Sequence, residues 1–178
     1  VFVGANVPFG MVQLGPTSIP QEWDWCSGYH DSDSTVIGFS HTHLSGTGIG
    51  DLFDITVMPV VGEVTYGRGR EEDPSTGMWS YADRSREVAR PGYYSVPLTR
   101  YGITAEMTAT NRVGLHRYTF PQSEEAGIVI NLMNGGCWDR PMDAQIERVD
   151  PMTGQPDPNG QALRGYRYSR GWADDQKV

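Results

Sequence analysis

The segment GITAEMTAT, Gly102 to Thr110, alternates with a period of two. Ile103, Ala105, Met107 and Ala109 fall on one face, and Thr104, Glu106 and Thr108 on the other. Successive side chains of an extended chain point to opposite sides, so this pattern is that of a half-buried strand. Working outward, TNRVG forms a hairpin connection into VGLHRYTF, Val113 to Phe120. On the other side lies GYYSVPL, Gly92 to Leu98. More short β-rich runs recur between turn signals: TVIGFS (Thr35 to Ser40), FDITVMPV (Phe53 to Val60), GMWSYA (Gly77 to Ala82) and GIVINL (Gly127 to Leu132). With 22 Gly and 12 Pro as punctuation and almost no helical period, the chain is predicted to be all-β, a sandwich or a barrel.

Two segments are expected outside strands. GRGREEDPSTG, Gly67 to Gly77, reads as a charged surface loop. DPMTGQPDPNGQ, Asp150 to Gln161, reads as a long loop or an exposed hairpin tip. The longest apolar run, AGIVINLM (Ala126 to Met133), fits a buried strand and is far short of the roughly 20 residues of a spanning helix.

At 178 residues the chain can hold one domain, 1–178, with a real core. It carries 14 basic against 22 acidic residues, a net charge of −8. Without a basic cluster it is a poor partner for nucleic acid or for an anionic membrane. VFVGANVPFG has no initiator Met and no signal-peptide core, and GWADDQKV stops abruptly, so both ends are expected to be cuts through a longer chain. Cys26 and Cys137 form no disulfide framework and no zinc spacing, which leaves buried free thiols as the plain expectation.

Two stretches are loaded with chemistry. WDWCSGYHDSD, Trp23 to Asp33, holds two Trp, a Cys, a Tyr, a His and three Asp. Trp23 and Trp25 share one side of an extended segment and suit the apolar face of a pyranose, although Trp is also a frequent core residue. SHTHLSGTGIGD, Ser40 to Asp51, places His41 and His43 two apart. On a strand they share a face and are candidates to chelate one ion, with His30, Cys26, Asp31 or Asp51 as further ligands, or else to serve as hydrogen-bonded structural groups. SGTGIGD lacks the Lys and Ser/Thr of a phosphate loop, and its Asp51 would repel phosphate. No G-x-S-x-G elbow is present, and a glycosidase carboxylate pair cannot be picked out from spacing alone.

In order along the chain, VPFGMVQLGP, WDWCSGYH, GFSHTHLSGTG, PGYYSVPLTRYGITAEMTATNRVGLHRYTFP and GYRYSRGWA together resemble the N-terminal region of glycoside hydrolase family 92, the exo-acting α-mannosidases. The resemblance covers essentially the whole chain, from about Val7 onward, whereas VFVGANVPFG enters the pattern late, without the usual glycine-rich lead-in. It implies an antiparallel β-sandwich joined to a C-terminal (α/α)6 barrel. It also implies inverting, calcium-dependent hydrolysis of α-mannosides, often α-1,2, with the acid, the base and most of the calcium site in the barrel. This chain is then expected to bind no calcium alone, to be inactive alone, and to be periplasmic or secreted in its parent. Its share of the site would be Trp25 or Trp23 as a wall of the leaving-group subsite, flanked by Cys26 and His30. His41 and His43 would line or brace that wall. The competing expectation is a free-standing carbohydrate-binding module. With the barrel of the same polypeptide missing, the sandwich face that it covers is expected to expose a sizeable apolar or aromatic patch and to favour self-association.

Overall fold

Alternation at Ile103–Ala109 sets the architecture, because it gives one strand a face to bury and so calls for a second layer. The computed structural model describes residues 2–19, 27–44, 52–70, 72–133, 140–171 and 174–178. Their strands begin with β1 (Ala5–Asn6), β2 (Gln13–Thr17), β3 (Thr35–Val36), β4 (Gly38–Ser40) and β5 (Thr56–Val61). Next come β6 (Arg68–Arg70), β7 (Asp73–Gly77), β8 (Ser80–Tyr81), β9 (Val88–Arg90), β10 (Tyr93–Leu98) and β11 (Ile103–Ala109). The last are β12 (Gly114–Thr119), β13 (Ala126–Asn131), β14 (Arg140–Val149), β15 (Ala162–Arg170) and β16 (Gln176–Lys177). Among the described residues the helical structure is a single 3-10 turn at Arg84–Arg86.

A five-stranded sheet, β1-β2-β4-β5-β13, packs against a four-stranded sheet, β12-β11-β10-β9, and every pairing is antiparallel. The expected register holds in β11: Ile103, Ala105, Met107 and Ala109 are buried, while Thr108 is exposed. They meet Leu14, Phe39, Met58 and Val60 from the opposite sheet, with Tyr94, Val96 and Leu98 beside them. Each such aliphatic or aromatic side chain contributes about 1.5–3 kcal/mol by leaving water. The fold is therefore an antiparallel β-sandwich, as the sequence pattern and its family resemblance imply.

A third sheet, β14-β15-β16, joins the sandwich through one polar clamp. Arg167 of β15 forms a salt bridge with Asp54, just before β5, and both side chains are fully buried. Its Nε also donates to the Leu132 carbonyl at 2.8 Å, beyond β13. The segment 150–161 is the tip of the β14–β15 hairpin, closed by Asp150, which accepts from Thr153 N at 2.7 Å.

Two expectations change. Gly67 to Gly77 is a β6–β7 hairpin, not a loop. Its charges mask a packing role: at Gly69, with φ +76°, a Cβ would lie 2.3 Å from Trp79 Cδ1, so the hairpin backbone rests on the buried indole. AGIVINLM is not a fully buried strand. β13 is the edge of the five-stranded sheet, where Val129 packs on the core and Ile128 is 56 % exposed. A run that is apolar on both faces serves two surfaces here. Val129, Ile130, Leu132 and Met133 also line a groove of about 470 Å³, opposite Tyr66, Ala144 and Ile146.

Candidate functional site

Residues 20–26, which include Trp23, Trp25 and Cys26, lie outside the described residues, as do 45–51, Cys137 and Trp138. The roots of both loops are described, and they converge. Ser18 N donates to the Gly28 carbonyl at 2.6 Å, closing the neck of the first loop. Ile19 N donates to Thr35 Oγ1 at 3.0 Å and fixes the outgoing strand. Gly28, at φ +73°, leaves only 3.1 Å between a would-be Cβ and Phe53 Cε1. The His43 ring meets the same phenyl edge-on, 5.3 Å between centroids. Gly28 after the first loop, His43 before the second and Phe53 after it thus share one contact point.

The strand side of this point is strained. Leu52, Phe53 and Ile55 adopt positive φ values of 76°, 29° and 52°. For a β-branched residue such as Ile55 that is an outlier, and such strain gathers at functional positions. His41 secures it, because its Nδ1 lies 2.7 Å from the Ile55 carbonyl and must carry the proton to donate there. Thr42 Oγ1 donates to Asp54 Oδ2 at 2.9 Å, and His41 N to the Asp54 carbonyl at 3.0 Å. The segment 41–43 therefore braces the strained 52–55 turn.

His43 is almost fully buried between Phe2 and Phe53. Its Nδ1 donates to the Gln13 carbonyl at 2.7 Å, and its Nε2 is buried with no hydrogen-bond partner among the described residues. Burial pushes its pKa down to about 4. His41 and His116 are also held below the ordinary imidazole value, both chiefly by burial, His116 to about 4. His41 and His43 do not face a common point: His41 Nε2 lies 3.2 Å from His116 Nε2, whereas the His43 ring packs between Phe2 and Phe53.

The return arm of the first loop is anchored by its acids and by His30. The Asp33 carboxylate accepts from Thr35 N at 2.8 Å and Thr35 Oγ1 at 2.7 Å. His30 Nδ1 accepts from Ser32 N at 3.3 Å, with Ser32 Oγ 2.7 Å away. Arg84 donates to the Asp33 carbonyl at 2.6 Å and to Glu87 at 2.7 Å, and its guanidinium covers the Tyr29 ring at 4.3 Å. Tyr29 and Tyr94 both donate to Glu87, at 3.2 and 2.5 Å. Burial raises both phenol pKa values, so both stay protonated donors at neutral pH. His116, Glu87, Asp54 and Arg167 were not legible as site residues. Their defining contacts, Glu87 with Tyr29, His116 with His41 and Asp54 with Arg167, span 58 to 113 positions, and no local spacing marks them.

Among the described residues no three His, Cys, Asp or Glu side chains gather into a metal-holding group. Calcium takes six to eight oxygen ligands, and the described residues offer no such cage.

What the fold and site define is an antiparallel β-sandwich in which Gly28, His43 and Phe53, flanking segments 20–26 and 45–51 in sequence, meet beside a strained turn. Its chain belongs to the glycosyl hydrolase family 92 N-terminal domain family, whose sequence model matches residues 1–178. It is similar to a family 92 α-mannosidase of Bacteroides thetaiotaomicron solved in complex with mannoimidazole. That likeness has 36 % identity and a TM-score of 0.85, over 99 % of this chain and 22 % of that one. An inverting family 92 mannosidase from the same organism shares the fold at 20 % identity and a TM-score of 0.62, over 93 % and 21 % of the two chains. A secreted glycosidase of Arthroderma benhamiae is 31 % identical over 128 residues, 68 % of this chain and 16 % of that protein. The chain thus spans about a fifth of the length of these relatives.

Proposed function

We propose that this chain is the N-terminal sandwich of an exo-acting α-mannosidase, and that it shapes a sugar pocket against a C-terminal (α/α)6 catalytic domain. The observation that carries the proposal is the match over residues 1–178 together with the 36 % identity to an α-mannosidase solved with mannoimidazole. In this reading Trp25, or Trp23, stacks on the sugar, and Cys26 and His30 flank it. His41 and His43 hold the footing from behind. The convergence of both loop roots on Phe53 supports that division. The general acid, the general base and calcium belong to the longer polypeptide, which inverts configuration and prefers α-1,2 linkages. Exposed apolar side chains along β13 to β15, among them Met133, Ile146 and Leu163, supply a face for the catalytic domain. The substrate is an α-mannoside glycan, and the parent is an exported enzyme.

The test is hydrolysis of α-1,2-mannobiose by the 178-residue chain beside its longer parent polypeptide, with and without a calcium chelator. Turnover by the parent alone, abolished by chelation, is the expected result. Turnover by the 178-residue chain would place the acid and base within it and overturn the division of labour.

A further inference from the structure

His41 and His116 are 75 residues apart in sequence, yet their Nε2 atoms lie 3.2 Å from each other. The rings are tilted by 44° with centroids 5.0 Å apart. Each imidazole is held at its far nitrogen. His41 Nδ1 donates to the Ile55 carbonyl, and His116 Nδ1 sits 2.7 Å from the Tyr118 hydroxyl. A carbonyl only accepts, so a neutral His41 has a bare Nε2 whose lone pair faces His116. A tyrosine hydroxyl either donates or accepts, so Tyr118 supports both tautomers of His116. With the His116 proton on Nε2, the gap holds an N–H···N hydrogen bond. With that proton on Nδ1, two lone pairs face the gap and a cation is needed between them.

We propose that the His41–His116 gap is a binding site for a nitrogen-preferring divalent transition ion, held by both Nε2 atoms, with Zn²⁺ as its simplest occupant. Two Zn–N bonds of about 2.0–2.1 Å at a tetrahedral angle set the nitrogens about 3.3 Å apart. The observed 3.2 Å separation meets that requirement almost without movement. A polar partner behind each imidazole is the outer-shell support that fixes histidine ligands in place. Both histidines are only partly buried, so an ion reaches them without unfolding the sandwich. Gly114 makes room, since a Cβ there would press on His41 Cδ2 at 3.2 Å and Nε2 at 3.4 Å. The described residues add no third His, Cys, Asp or Glu ligand, so water completes a four-coordinate shell. On loading, the His116 proton passes from Nε2 to Nδ1 and is donated to Tyr118 Oη, whose own proton turns away. No proton leaves the protein.

Calorimetric titration of Zn²⁺ into the full 178-residue chain tests this, beside His116→Gln and the surface control His30→Gln. One ion per wild-type chain is expected, at least tenfold weaker binding for His116→Gln, and no change for His30→Gln. Imidazole nitrogen spectra of the wild type need no variant: Zn²⁺ should shift both Nε2 signals and convert His116 to its Nδ1–H form. Equal affinity in His116→Gln, no zinc uptake by the wild type, or a His116 Nε2–H that persists at saturating zinc would each overturn the proposal.

Discussion

Asp54 and Arg167 are a fully buried ion pair, and the carboxylate also accepts from Thr42. Arg167→Ala leaves a buried anion with its main partner gone, which typically costs about 3–5 kcal/mol. Chemical denaturation should show that loss, whereas the double replacement Arg167→Met with Asp54→Leu should recover most of it, because apolar pairs of similar size substitute well for buried ion pairs. His43 makes a second prediction, about acid. Its folded pKa is about 4 against an ordinary value near 6.5, so the folded state binds fewer protons than the unfolded chain. Its contribution to stability is therefore intact above about pH 6.5, is lost progressively as pH falls, and is fully lost below about 4. For one buried group the loss is on the order of 3 kcal/mol. A pH series of unfolding midpoints should be flatter between pH 6.5 and 4 in His43→Gln than in the wild type. Neither effect was visible in the sequence. His43 looked like half of a chelating pair with His41, but His41 turns its Nε2 to His116 while the His43 ring packs between Phe2 and Phe53. The pairing of His41 with His116 depends on β4 and β12 facing each other across the two layers, which no local pattern encodes.

At the scale of elements, strands with one wet face were legible and the rest less so. β11 follows the alternation of its residues, since that alternation is the physical cause of its burial, whereas β10 buries Ser95 between Tyr94 and Val96 and β12 turns Leu115 outward. The β6–β7 hairpin was hidden by its own composition. Charges and turn formers dominate it, and its contact with Trp79 is made by a residue with no side chain. Gly69→Ala should accordingly be costly: it forces a Cβ to 2.3 Å from Trp79 at a positive φ. A loss of about 1–3 kcal/mol is expected, as for other overpacked positions. Trp79 fluorescence during denaturation would report the hairpin and the global transition together. β13 misled for the opposite reason, because an apolar run does not say how many surfaces it serves. One of its faces closes the sandwich and the other borders the groove with Ile146.

At the scale of the molecule, the loop that carries Trp23 and Trp25 is tied off by the Ser18–Gly28 hydrogen bond and by the Asp33, Arg84 and Glu87 network. Changes at its tip should therefore spare the fold. Trp25→Ala in the longer polypeptide is expected to lower kcat/KM for α-1,2-mannobiose by tenfold or more, with an unfolding midpoint within about 0.5 kcal/mol of wild type, as is usual for sites away from the core. A drop in stability as large as the drop in activity would make that indole a core residue. The Asp54–Arg167 bond also has a consequence in time. The two residues are 113 positions apart, so at about 5–20 residues per second Asp54 is joined to the chain roughly 6 to 23 s before its partner. Through that interval the sandwich cannot seal around a naked carboxylate. The nascent chain must wait with its β5 end open to water, so the later strand β15 acts as the latch on the earlier β5.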